Sequence, residues 1–142
     1  MRELLIPALR VAGAGLLLLA LLHVPIARRL AWRQEAARMS PFNAAVFHVH
    51  TAFICLVLVG IGLPGAIEPA VFLERGRAAA WGCWTLTVFW ALRLWCQCFV
   101  YRRSWWRGRR LETALHWWFT LVWVFLTALF GACAAWHAGW VS

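Results

Sequence analysis

Apolar residues in this chain fall into four long runs separated by short polar breaks, with neither the alternation of an amphipathic strand nor a sustained heptad seam. The first run covers residues 4–27 and stops at Arg28-Arg29. The second covers 43–63, after the stop-and-cap signal Ser40-Pro41-Phe42-Asn43, and ends at Pro64-Gly65. The third covers 79–101 and the fourth 111–136. About 20 residues of helix cross the roughly 30 Å hydrocarbon layer, so each run is long enough to span a bilayer. The pattern predicts an all-α integral membrane protein, an antiparallel four-transmembrane-helix bundle in which residues 1–142 form one domain. Close helix contacts are expected at Gly13, Gly15, Gly60, Gly62 and Gly131.

Arg2 followed by a Leu-rich stretch has the outline of a secretory leader, but the run leads directly into Arg-rich sequence, which favours a retained signal-anchor helix. Between the first two runs, residues 27–39 read either as a solvated connector or as a short interfacial helix. In the second case Leu30 and Trp32 would lie in lipid and Arg33, Gln34 and Glu35 in water.

Composition agrees with the pattern. Of the 142 residues 64% are apolar and only 13% charged, against about 25% charged in soluble domains, and the mean hydropathy is +0.72. A net charge of +9 would suggest nucleic acid in a soluble protein. Here the basic residues flank apolar runs, so a nucleic-acid partner is not expected and the lipid bilayer is. All basic residues are Arg and all acidic ones Glu, which removes Lys Schiff-base and paired-Asp chemistry.

Charge also orients the chain. Arg28, Arg29, Arg33, Arg38, Arg102, Arg103, Arg107, Arg109 and Arg110 lie in the first and third loops, against Arg2, Arg10, Arg75 and Arg77 at the other ends. The positive-inside rule then puts loops one and three in the cytoplasm and both termini on the non-cytoplasmic side of a bacterial-type inner (plasma) membrane. Trp32, Trp105, Trp106, Trp117 and Trp118 would form the inner aromatic belt, and Trp81, Trp84, Trp136 and Trp140 the outer one.

With this topology His23, His48, His50, His116 and Gln97 fall about 6 to 10 Å inside the cytoplasmic boundary and Arg93 about 12 Å inside, so all four helices contribute to one polar layer. Only His137 lies at the opposite side. On the fourth helix Glu112, His116, Thr120, Trp123 and Thr127 share an arc of about 80°, while Arg93 and Gln97 are i,i+4 neighbours on the third. His48 and His50 point about 200° apart, so only one can face a bundle centre; His48, on a small-residue face with Ala52, Cys55 and Gly62, is the inward choice. An ionisable residue within a span is a functional hypothesis by default, and Arg93 is the clearest case. Its ordinary alternatives are snorkelling to headgroups or pairing with Glu112.

Three chemistries suit such a layer. A b-type haem would sit between His116 and His48 or His23, with Arg93 on a propionate. A transition metal would take ligands from His23, His48, His50, His116 and Glu112, with Gln97 and Thr120 as supporting polar groups. A lipid or thiol substrate would be held by Arg93 and the loop arginines, with a neutral His as general base. On the third reading, the four short helices, Arg-rich first inner loop, Arg93, and Arg38 and Asn43 at the start of helix two loosely resemble the membrane-associated eicosanoid and glutathione transferase family. The Glu that follows in that family's pattern is replaced here by Ala44, Ala45, Val46 and Phe47. The resemblance implies a small membrane transferase.

We read the layer as a redox or metal site with haem b as its first expected occupant. The rival from another class is a non-catalytic accessory subunit packed against other membrane subunits or its own copies. The five Cys residues read as apolar packing; Cys83 and Cys133 fall near the outer ends of adjacent helices, at a level that would allow a disulfide, although the expectation is that they remain free.

Overall fold

The computed structural model describes residues 1–141; Trp105 is described by its backbone alone, and Ser142, expected on the non-cytoplasmic side, lies outside the described residues. Every regular element is helical: α1 (Arg2–Arg29), α2 (Trp32–Ala36), α3 (Pro41–Ile67), α4 (Arg77–Phe99) and α5 (Arg110–His137), with one-turn 3-10 segments at Pro69–Phe72 and Arg103–Trp105. Three helices, α1, α3 and α5, are long and apolar enough to cross a membrane. At 23 residues and about 1.5 Å per residue, α4 also has the length to do so. Four Trp residues, Arg93 and Gln97 make it less apolar than α3 and α5. Many large apolar side chains are exposed, among them Leu21, Phe53, Leu121 and Trp117, an arrangement that lipid accommodates and water would penalise.

The chain divides into two compact units, one of residues 9–69 and the other of residues 1–8 with residues 70 onward. In the first unit, α1 meets α3 through glycines. A Cβ at Gly13 would run into the backbone nitrogen of Ala66, and would lie 2.6 Å from the carbonyl carbon of Gly65 and 2.7 Å from the oxygen of Gly62. Gly62 and Gly65 are buried in turn against Gly13, Leu16 and the Leu9 carbonyl. Removing side chains lets two backbones touch, which is how helices gain dispersion energy where lipid supplies no hydrophobic drive. Gly15 and Gly60, also expected at contacts, face open space, and Gly131 meets only the Thr87 methyl at 3.7 Å.

Ser40 caps α3 as expected, its hydroxyl accepting the Asn43 N–H at 3.4 Å, with Pro41 in the first turn. The expected stop at Pro64-Gly65 is not used. α3 continues to Ile67, and the Glu68 N–H closes it on the Pro64 carbonyl at 2.9 Å. Proline removes one donor but remains tolerable in an apolar helix packed against a neighbour, and Gly65 is needed where α1 presses closest. Between α1 and α3, Ala31 adopts a left-handed conformation (φ 51°) that breaks the helix. The five-residue α2 follows. Trp32 packs edge-on to Phe47, with ring centroids 5.5 Å apart, rather than pointing away to lipid.

In the second unit α4 and α5 form an extensively packed antiparallel hairpin. The Trp90 ring, 1% exposed, stacks on Trp123 at 5.4 Å with an 11° interplanar angle, and Phe119 lies nearly parallel to Trp123 at 5.6 Å. Gly108 (φ 85°) turns the chain before α5. Gly139 (φ 72°) closes that helix, with the Trp140 N–H returning to the Ala135 carbonyl at 3.0 Å.

Candidate functional site

The sequence-expected polar groups of α4 and α5 meet around Gln97, a buried amide with three partners. Its Nε2 donates to His116 Nδ1 at 3.0 Å and to the His116 carbonyl at 3.3 Å, and its Oε1 accepts the Trp123 indole N–H at 3.3 Å. An indole nitrogen is only a donor, so it must face the amide oxygen, and the amide NH2 is thereby turned toward His116. His116 Nδ1 can accept that proton only as a lone pair, and the neutral ring then carries its hydrogen on Nε2. A chain of two hydrogen bonds thus sets a tautomer. The same network leaves neither nitrogen of His116 with a lone pair to give a metal, so the expected axial or metal-ligand role of His116 requires the Gln97 contact to break first.

The His116 ring is also held from one face by Trp106, stacked at 4.2 Å and 11°. The loop carrying Trp106 is tied down by the Thr113 hydroxyl, which donates to the Trp106 carbonyl at 2.7 Å. Thr120 and Thr127 contribute less than their alignment on α5 suggests. Their hydroxyls donate back to the His116 and Trp123 carbonyls of the same helix at 2.8 and 2.7 Å, the usual destination of a hydroxyl one turn along an apolar helix.

Arg93 is half-buried and does not pair with Glu112. Among the described residues the one salt bridge joins Arg38 to Glu35, at 3.1 Å within the connector. The Arg93 guanidinium instead lies 4.9 Å from the Trp123 ring and 5.6 Å from the Tyr101 ring, and its Nη2 donates to the Tyr101 hydroxyl at 3.4 Å. Weakly hydrated and planar, guanidinium suits an aromatic cradle where an ammonium would not. Glu112 is exposed in the first turn of α5, where a carboxylate meets the positive end of the helix dipole.

The other three histidines of the expected layer belong to the unit of residues 9–69. His23 Nδ1 donates to the Leu19 carbonyl at 2.8 Å and His50 Nδ1 to the Val46 carbonyl at 3.0 Å. A carbonyl accepts only, so both rings carry hydrogen on Nδ1, and it is Nε2 that holds the lone pair whenever the ring is neutral. His23 touches Trp32 edge-on at 6.5 Å, and Phe47 links Trp32 to His48 through two further edge contacts of 5.5 Å. His48 and His50 are both exposed on α3. Among the described residues no three His, Cys, Asp or Glu side chains are grouped as a metal site. Tyr101 takes part in the α4–α5 cluster without having been picked out from sequence, and Trp106 was expected only in the inner aromatic belt, not against His116. Tyr101 is the chain's only tyrosine and lies two turns beyond Arg93, which was a usable signal.

No family model, no curated protein and no solved structure matches this chain.

Proposed function

We propose that this protein is a non-catalytic membrane subunit whose α3 helix packs against a partner within the bilayer. The observation that carries the reading is the state of α3, whose most apolar stretch is only 6% buried within the chain although His48 and His50 stand exposed on it. At about 1.5 Å per residue these rings lie about 10 and 13 Å from the start of a helix some 40 Å long, which puts them inside the hydrocarbon edge rather than in water. Polar side chains at that depth are costly in lipid and become favourable against a helix that offers them hydrogen-bond partners. The three hydrogen bonds of Gln97 with His116 and Trp123 support the same reading, because they tie α4 to α5 and occupy the buried amide with packing rather than with a ligand.

A photo-crosslinker placed at Ala52 in native membranes tests this. The expected result is one protein adduct of defined mass, lost in the His48→Leu, His50→Leu double variant. Adducts to lipid alone would overturn the subunit role.

A second reading, haem b or a transition metal in the cytoplasmic leaflet, is favoured by the Nδ1–H bonds of His23 and His50. An imidazole whose Nδ1–H is fixed on a carbonyl is oriented to ligate through Nε2. On this reading His50→Ala removes a Soret band or stoichiometric metal and His116→Ala does not; a colourless, metal-free protein ends it. We place α4 as a fourth span, with both termini outside a plasma membrane of bacterial type, because the loop arginines divide nine to four. In a background without native cysteines, Ser104→Cys should resist impermeant thiol reagents in intact cells and Ser142→Cys should react; the opposite pattern inverts the topology.

A further inference from the structure

Three contacts fix the register of the antiparallel α4–α5 pair: Gln97 with His116, Trp90 with Trp123, and Thr87 with Gly131. Continued away from the Gln97 network, that register sets the start of α4 beside the end of α5, where a cavity of about 580 Å³ is lined by Arg75, Gly76, Arg77, Ala80, Trp136 and His137 among others. The space exists because the chain supplies little to fill it. A Cβ at Gly76, or at Gly139, which also lines the cavity, would meet nothing within 4 Å, and Ala80 contributes one methyl. The His137 ring is held at the edge by its Nε2–H, which donates to the Phe72 carbonyl at 2.9 Å. Charge at the cavity is one-sided. Among the described residues no acidic side chain lines it, and neither Arg75 nor Arg77 makes a salt bridge; Glu74, next to Arg75 in sequence, is exposed and outside the lining. Two guanidinium groups brought to one cavity repel each other, and an anion between them relieves that repulsion. Their planar forks match phosphate oxygens in pairs.

The position of the cavity says where such a phosphate comes from. α5 is long and apolar enough to cross a membrane and ends at His137, so the cavity stands at the level of the headgroups. Trp84, one turn along α4 from Ala80, and Trp140, between the lining residues Gly139 and Val141, meet edge to face with ring centroids 6.0 Å apart and are 40% and 72% exposed. Indoles so placed, with one side apolar and the other wet, suit the membrane interface. We propose that this cavity binds the phosphate of one anionic phospholipid, with Arg75 and Arg77 on the phosphate oxygens and the Trp84–Trp140 pair against the glycerol and the upper acyl chains. A soluble phosphate ester offers the same anion but nothing to lay on the indoles, which makes the lipid the source. The site uses no residue of α3, so its test stands apart from the subunit reading.

The probe is phosphatidylglycerol, titrated into the full chain in mild detergent, with bound lipid counted by native mass spectrometry and phosphatidylcholine as the zwitterionic comparison. The expected result is one phosphatidylglycerol held per chain in preference to phosphatidylcholine. Arg75→Gln with Arg77→Gln should weaken it about 30-fold, about 5-fold for each arginine removed from beside an anionic headgroup. Arg102→Gln with Arg103→Gln, at the opposite end of the hairpin, removes the same charge and should leave this binding unchanged. Ala80→Phe keeps both arginines but occupies the cavity, and should exclude the lipid. Glycerol 1-phosphate, which carries the phosphate without acyl chains, should fail to displace it. Equal retention of the two lipids, equal losses in the two double-arginine variants, or full binding in Ala80→Phe would each refute the site. Displacement by glycerol 1-phosphate at concentrations matching those of the lipid would refute the lipid as its occupant and assign the cavity to a soluble phosphate.

Discussion

Replacing Gln97 by Leu should do two separable things, and both follow from its three hydrogen bonds. The first is energetic. Leu keeps the volume but strands the Trp123 indole N–H and the His116 Nδ1, which now bond the amide at 3.3 and 3.0 Å. A buried group left unpaired costs about 1–3 kcal/mol in soluble proteins, whereas side-chain hydrogen bonds between membrane helices average about 0.6 kcal/mol. Gln97→Leu should therefore destabilise the hairpin by about 1–3 kcal/mol. Trp123→Phe removes the same indole contact from the other side and also part of the aromatic face under Arg93. Because both changes delete one shared bond, the double variant should fall short of the sum by about 0.6–1.5 kcal/mol, read by reversible unfolding in detergent. The second effect is on His116. With Gln97 present, ring-nitrogen NMR of 15N-labelled His116 should show hydrogen on Nε2 and a bare Nδ1; in Gln97→Leu that preference should weaken. Strict additivity, or an Nδ1–H tautomer in the wild-type protein, would refute the chain of reasoning from the indole to the imidazole.

Gly13→Ala drives a methyl into the backbone of α3 and should cost about 1–3 kcal/mol, the usual range for overpacking, while Gly15→Ala, facing open space, should be near neutral; thermal midpoints of the two in one detergent decide it, and equal behaviour would remove Gly13 from the helix contact. Arg93→Met should couple to Tyr101→Phe and be additive with Glu112→Gln in double-mutant cycles, since Arg93 donates to the Tyr101 hydroxyl and makes no salt bridge with Glu112. Coupling to Glu112 instead would restore the ion pair expected from sequence.

The long helices were legible in the linear order of the chain because hydrophobic run length is a local property: a span needs about 20 apolar residues wherever its neighbours are. The Ser40 cap was legible for the same reason, since donor and acceptor are three residues apart. Pro64-Gly65 was misleading because punctuation that ends an exposed helix is overridden where another helix packs on it, and only the approach of Gly13 shows this. Depth along the spans set Gln97 and His116 at one level, where the structure joins them by a hydrogen bond, yet depth carries no information about azimuth or hydrogen-bond polarity. Whether His116 offers a lone pair or accepts a proton is decided by which way an amide from another helix points, and that amide is turned by an indole seven residues further along α5. Likewise the ordinary alternatives for Arg93 in sequence were the headgroups and the charge of Glu112; helix rotation instead sets its guanidinium against the aromatic faces of Tyr101 and Trp123. Local periodicity determined the elements, and the relative rotation of packed helices determined which of their polar groups satisfy one another.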